Sequence, residues 1–254
     1  MKVEISNLTF SYANGHTAVS EITFGADEPG FLVITGPSGC GKSTLLRLMM
    51  GTPWLLASGK RSGVLRIDGK DPAEAIAEGR VSYMAQDESL FPNLTLLDNL
   101  CLPFRIKRQA TPPLLAELIE LASLGDYLRY FPYQLSGGTR KRAELARAFL
   151  TQPALVLLDE PFSKQDLRLK TFLYQYLLRF QSLSGAMIIL VTHDLMEAVL
   201  IANRIIVMNG SGRIAKELLI DKPLPRILDA HGVEKISHEF AELRSIILEE
   251  PITI

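Results

Sequence analysis

The stretch Gly36-Pro37-Ser38-Gly39-Cys40-Gly41-Lys42-Ser43-Thr44 carries the spacing GxxxxGK[ST]. It follows a short apolar run and precedes a segment poor in β-branched residues, the strand-to-helix setting in which this loop cradles a polyphosphate. Small residues let backbone N–H groups converge on phosphate oxygens, and the helix start adds positive potential. Lys42 is expected to reach the outer phosphates and Ser43 to offer an oxygen to Mg²⁺. A metal at that position needs an anionic ligand from a neighbouring strand end. Leu155-Val156-Leu157-Leu158, followed by Asp159 and Glu160, supplies a buried strand whose acidic end emerges where open α/β sheets bind ligands. Asp159 is expected to hold the metal shell and Glu160 to polarise an attacking water.

A third constellation, Leu135-Ser136-Gly137-Gly138, opens a helix and forms a second anion site. One nucleotide on one chain has no use for two such sites, whereas two chains packed head to tail do. The same residues also read as a plain capped helix whose Arg140, Lys141, Arg142 and Arg147 make a solvated face.

These groups must be positioned by the elements around them. Strands are expected at Val3–Phe10 and Ala18–Phe24, with Asn14-Gly15 as the turn, then at Gly30–Thr35, Val64–Ile67 and Val81–Met84. A helix is expected over Lys42–Met50, ended by Gly51. From Thr95 to Leu128 the pattern turns helical, with Thr111 and Pro112 as N-cap and first-turn pair and Leu115, Leu118, Ile119 and Ala122 at helical spacing. Alternation then resumes: helix Gly138–Leu150, strand Leu155–Leu158, helix Leu169–Phe180, strand Met187–Thr192, helix Leu195–Ala202, strand Ile205–Met208. A last helix is expected over Glu239–Leu248. Short buried strands alternating with helices imply a largely parallel sheet.

The composition sets bounds. A chain of 254 residues, 47% hydrophobic and 22% charged, can bury a substantial core and is neither disordered nor a disulfide miniprotein. Lys and Arg total 27 against 28 for Asp and Glu, a net charge of −1, which removes any bulk electrostatic case for nucleic acid or anionic lipid. Cys40 and Cys101 have neither a CxxC partner nor a His cluster beside them, so neither a disulfide framework nor a zinc site is expected. No secretory signal opens the chain, and no apolar run approaches the roughly 20 residues that span a bilayer.

Taken in order, these residues resemble the nucleotide-binding subunits of ABC transporters, from about Val3 to Leu219. The resemblance implies an α/β fold: a P-loop NTPase core with a mostly parallel sheet, an N-terminal antiparallel β subdomain and an inserted α-helical subdomain. It implies ATP and Mg²⁺ as ligands, Gln86 as the Gln-loop amide that meets Mg²⁺ or water, and Ser136 to Gly138 as the family signature. Asp159 is then the Walker B carboxylate, Glu160 the catalytic base, Asp166 the D-loop aspartate, His193 the switch histidine and Tyr12 the aromatic stacked on adenine. On residue type alone, His193 reads equally as a surface histidine at a strand end, and Tyr12 as a strand-edge or core aromatic. The chain departs from the family at Thr139, where Gln or Met is usual, and at Lys164-Gln165 in the D-loop.

The segment Phe131-Pro132-Tyr133-Gln134 before the signature resembles bacterial importer subunits, as does Gln86 to Thr95. The compact subunits that serve nitrate, sulfonate, taurine or thiamine-precursor permeases look nearest. Expected partners are integral-membrane permease subunits, a second copy of the chain in an ATP-sandwich homodimer and a solute-binding protein, with no nucleic acid. The expected place is the cytoplasmic face of the membrane. The permease surface is expected along Gln86 to Leu102 and the helical insertion, where Leu90, Phe91 and Leu94 sit in a loop. One domain is expected over 1–254: an ATP-binding core at 1–85 and 151–222, the Gln-loop, insertion and signature helix at about 86–150, and a tail at 223–254. The competing readings are a soluble ABC ATPase, an exporter subunit and a P-loop kinase; the last leaves Ser136 to Gly138 and His193 without roles.

Overall fold

The computed structural model describes residues 1–163, 165, 167–221, 224, 241, 243 and 245. Three strands, β1 (Val3–Tyr12), β2 (Thr17–Ala26) and, later in the chain, β4 (Gly59–Ile67), form an antiparallel sheet in the order β2-β1-β4. Between them lie β3 (Gly30–Thr35), α1 (Lys42–Met49) and α2 (Pro53–Ala57). After β4 come α3 (Pro72–Ala77), β5 (Val81–Met84), α4 (Leu96–Lys107), α5 (Leu114–Leu121) and α6 (Gly137–Leu150). The chain continues through β6 (Leu155–Asp159), α7 (Leu167–Ser184), β7 (Met187–Val191), α8 (Leu195–Ile201), β8 (Arg204–Met208) and β9 (Ile214–Leu219). The second sheet runs β5-β6-β7-β3-β8-β9, parallel except for β9, which pairs with β8 antiparallel.

Strand alternation sorts the core into two halves. Successive side chains of a strand point to opposite faces, so Val33, Val156, Leu158, Ile188, Leu190 and Val207 face one cluster, with α6, α7 and α8. Leu32, Ile34, Leu157, Ile189, Val191 and Ile206 face the other, with α1 and the antiparallel sheet. Both faces are covered, which is why β6 and β7 are buried at every position.

Several boundaries differ from expectation. β4 starts at Gly59, well before Val64, because β1 pairs with it along its length from Ile67 back to Gly59. Thr111 does not cap a helix: α5 begins at Leu114 with Pro113 at its N-cap position, the fixed φ of proline suiting an αR entry. α2, α3 and β9 were not legible; the first two are single turns begun by proline, too short for a period to emerge. The helix expected over Glu239–Leu248 lies outside the described residues except 241, 243 and 245, which are helical.

Candidate active site

The C-terminal ends of β5, β6, β7 and β3 lie side by side, and the P-loop, Gln86, Asp159, Glu160 and His193 each follow one of them, whereas Tyr12 ends β1 of the other sheet. The loop from β3 into α1 turns on glycines in the left-handed region: Gly36 (φ 148°), Gly39 (φ 81°) and Gly41 (φ 99°). A Cβ at Gly36 would strike the Met208 carbonyl, and one at Gly41 the Ala18 carbonyl, whereas Gly39 has open space. Only glycine fits the first two positions. Lys42 Nζ is held inside the loop, donating to Gly36 O at 2.8 Å and Pro37 O at 2.7 Å, with Cys40 buried beside it. Pro37 and Ser38 complete the turn. Thr44, on the first turn of α1, hydrogen-bonds the Tyr12 hydroxyl at 3.1 Å. The Tyr12 ring in turn lies parallel to His16, with centroids 6.2 Å apart.

α1 packs across β7 onto β6, which carries Ser43 to the end of a strand two places from its own. Ser43 Oγ donates to Asp159 Oδ1 at 2.7 Å. Asp159 is fully buried, and its other oxygen, Oδ2, accepts from the Tyr83 hydroxyl at 3.2 Å and faces the Arg47 guanidinium at 4.0 Å. Burial pushes the Asp159 carboxyl up, and the bonds from Ser43 and Tyr83 and the Arg47 charge pull it back without cancelling that effect. Burial, with the Asp159 charge beside it, pushes the Tyr83 phenol up to about 12.

Glu160 follows in a left-handed conformation (φ 45°), its N–H bonded to Val191 O at 3.0 Å. A non-glycine residue there costs on the order of 1–3 kcal/mol, and the turn swings the Glu160 carboxylate out of the strand line. One oxygen meets His193 Nδ1 at 3.0 Å and the other Gln86 Nε2 at 3.1 Å. The Gln86 amide therefore contacts Glu160, not the Ser43–Asp159 pair. His193 leaves the end of β7 just before Asp194, which caps α8 by accepting from Met196 and Glu197 N–H.

Ser136 caps α6: its Oγ accepts from Thr139 N at 3.1 Å and pairs with Thr139 Oγ1 at 2.8 Å. Gly137 has open space around it, while a Cβ on Gly138 would crowd the Leu169 side chain. The Ser136 bonds stay within α6 and Gly138 faces Leu169 of α7, so Ser136, Gly137 and Gly138 form a group apart from the P-loop constellation. Asp166 lies outside the described residues, as does Lys164.

The basic residues of α6 are not a solvated face. Lys141 is buried, donates to Gln86 O at 3.2 Å and pairs with buried Glu144 at 3.1 Å. Glu144 accepts from Ser89 N, Arg147 donates to Ser89 Oγ at 2.6 Å and Arg140 pairs with Glu88 at 2.8 Å. Arg142 donates to the Ala122 carbonyl and to Thr139 Oγ1. Helix α6 thus clasps residues 86–89. Residue type gave no sign of this, because the partners that Lys141, Glu144, Arg147 and Arg140 find in residues 86–89 lie more than fifty positions away. Of the three apolar loop residues, Leu90 belongs to the core, Leu94 is half-buried and Phe91 is 48% exposed.

The family of ABC transporters matches residues 19–163. The chain belongs to the ABC transporter family. It is an ATPase cassette of that family, with the family's α/β fold. Among curated relatives it is 37% identical over 221 residues to the spermidine/putrescine import ATP-binding protein PotA of Thermobifida fusca, matching 84% of this chain and 56% of that protein. It is 32% identical over 254 residues to the aliphatic sulfonates import ATP-binding protein SsuB of Bacillus cereus strain ZK, matching 98% of this chain and 96% of the relative. The chain thus spans little more than half the length of the PotA relative. The dimeric post-hydrolysis structure of the ATP-binding cassette MJ0796, bound to ADP and Pi, is similar at a TM-score of 0.73 and 28% identity, covering 87% of this chain and 100% of that one.

Proposed function

We propose that this ABC ATPase powers solute uptake from the cytoplasmic face of a membrane, working as a head-to-tail pair with a second copy and docked on permease subunits. Each ATP would lie between Gly36 to Thr44 of one copy and Ser136 to Gly138 of the other, with Asp166 at the seam. The observation that carries this reading is the split itself. Lys42, Ser43, Asp159, Glu160, His193 and Gln86 converge at the strand ends, while Ser136, Gly137 and Gly138 are built as a separate helix start.

The residues fit the chemistry. Ser43 Oγ and the Asp159 carboxylate, 2.7 Å apart, are the hard oxygen donors that Mg²⁺ prefers. When bound, Mg²⁺ neutralises phosphate charge during transfer. Lys42, already oriented by two loop carbonyls, holds the outer phosphates. Glu160 orients the attacking water and takes its proton, and His193 keeps the Glu160 carboxylate in place while facing the terminal phosphate. Gln86, bonded to the other Glu160 oxygen, links this water site to the loop that α6 clasps. Tyr12 offers its ring face to adenine.

The end-to-end match to SsuB relatives supports a small-solute importer of the sulfonate-like group, fed by a solute-binding protein. The solute would contact the permease and not this chain. Among the described residues no helix is long and apolar enough to cross a membrane, so the proposed attachment is through Phe91 and its surrounding loop. The deciding experiment is Glu160→Gln. ATP with Mg²⁺ should convert it to a stable dimer on gel filtration with turnover reduced at least about 100-fold. A variant that stays monomeric at millimolar ATP would overturn the sandwich.

A further inference from the structure

Asp159 presents its two oxygens differently. Oδ1 faces Ser43 at 2.7 Å, whereas Oδ2 accepts from the Tyr83 hydroxyl at 3.2 Å and lies 4.0 Å from Arg47. Tyr83 comes from β5, the neighbour of β6 in the sheet, in register with Leu157. Arg47 comes from α1, one turn after Ser43, and the Trp54 ring of α2 covers its guanidinium at 5.9 Å. Two elements, β5 and α1, therefore converge on one carboxylate oxygen that points away from the P-loop serine, and α2 backs the second of them.

A buried carboxylate with one unpartnered oxygen is free to rotate about its Cβ–Cγ bond and present either edge. Pinning Oδ2 removes that freedom and leaves Oδ1 on the Ser43 side. We infer that Tyr83 is a positioning residue for the divalent cation: its hydroxyl holds the Asp159 carboxylate in the orientation that Ser43 and the metal share. The inference rests on the reading of Ser43 and Asp159 as metal ligands and adds to it the group that sets their geometry. Partners behind a metal-ligating group commonly contribute 10- to 100-fold in metal affinity. The Tyr83 ring, half-buried against the core of the N-terminal sheet, can be kept while the hydroxyl is removed.

The test uses the full chain and Mn²⁺ as the probe, titrated in the presence of a non-hydrolysable ATP analogue and read by electron paramagnetic resonance. Tyr83→Phe should weaken Mn²⁺ binding about tenfold or more, while affinity for the analogue in EDTA stays within about twofold. Tyr83→Met, which keeps bulk without a donor, should behave alike. Unchanged Mn²⁺ affinity in both variants overturns the inference, as does a loss matched by an equal loss of metal-free nucleotide binding. Asp159→Asn serves as the reference. If it abolishes Mn²⁺ binding while Tyr83→Phe leaves Mn²⁺ affinity unchanged, the ligand reading stands and the Tyr83 role falls. If Asp159→Asn leaves Mn²⁺ binding intact, the ligand reading itself fails.

Discussion

Glu160 and His193, 33 positions apart, meet at 3.0 Å between Oε1 and Nδ1. The Glu160 side chain is 16% exposed and that of His193 is 54% exposed, so the carboxylate is sheltered while the ring borders open space. The pair joins the ends of β6 and β7, neighbours in the sheet. Replacing His193 with Ala should lower kcat by about 100-fold and leave metal-free ATP affinity nearly unchanged. Steady-state ATPase assays and nucleotide titration in EDTA separate the two, and an unaltered kcat would remove His193 from the mechanism.

Two glycines of the phosphate loop should behave differently from a third. Gly41→Ala and Gly36→Ala force a Cβ into the Ala18 and Met208 carbonyls at positive φ, so both should lose nucleotide binding and melt well below the parent. Gly39→Ala meets open space and carries only the backbone cost of its φ of 81°, about 1–2 kcal/mol. Thermal melts of the three variants should rank in that order.

Burying the Asp159 carboxyl raises its pKa, which fixes the sign of a pH effect. The unfolded chain loses this proton at lower pH than the folded one, so stability contributed by Asp159 falls as pH rises from the ordinary carboxylate value through the folded one, and the penalty persists at neutral pH. Asp159→Asn should therefore raise the melting temperature of the metal-free protein at pH 7, by roughly 2–4 °C for each kcal/mol relieved, with a smaller gain near pH 4. A lower melting temperature at pH 7 would show that the ionised group is held at a net gain.

Asn99 is fully buried on α4 and satisfies four backbone groups: it donates to Phe91, Leu94 and Thr95 carbonyls and accepts from Phe91 N–H. Asn99→Leu strands the Phe91 N–H and the Leu94 carbonyl, whereas the Phe91 and Thr95 carbonyls keep the backbone N–H groups of Leu94 and residue 99, at a cost of roughly 2–4 kcal/mol. Urea unfolding should show that loss, and limited proteolysis should cut the variant near Phe91 faster. Equal stability would mean that the loop closes on itself without the amide.

The site was legible to the extent that its residues act through local sequence. The phosphate loop needs glycines at fixed offsets from Lys42 and Ser43, and a strand ending in Asp159-Glu160 announces itself by four apolar residues. Tyr83, Asn99 and Lys141 gave no such signal. A tyrosine in a β-strand, an asparagine in a helix and a lysine in a basic run are ordinary in type, and their partners lie on other elements. Lys141 and its neighbours even suggested a solvated face, because charge density along a helix does not reveal which carboxylates and carbonyls fold against it.

By itself, the sequence determined the chemistry available: a polyphosphate loop, a pair of strand-end carboxylates, a second capped helix start and an alternation of strands and helices that commits the chain to a covered parallel sheet. These follow from bonding rules that reach only a few residues along the backbone. The tertiary structure decided which groups meet. Sheet order sets β7 beside β3 and β6 beside β7, and that order brings Ser43 to Asp159 and His193 to Glu160. It also turned the cations of α6 inward onto residues 86–89 and gave Asp159 the phenol of Tyr83, because strand neighbours and helix faces are chosen by how two halves of a core can both be buried, a condition on the whole chain at once.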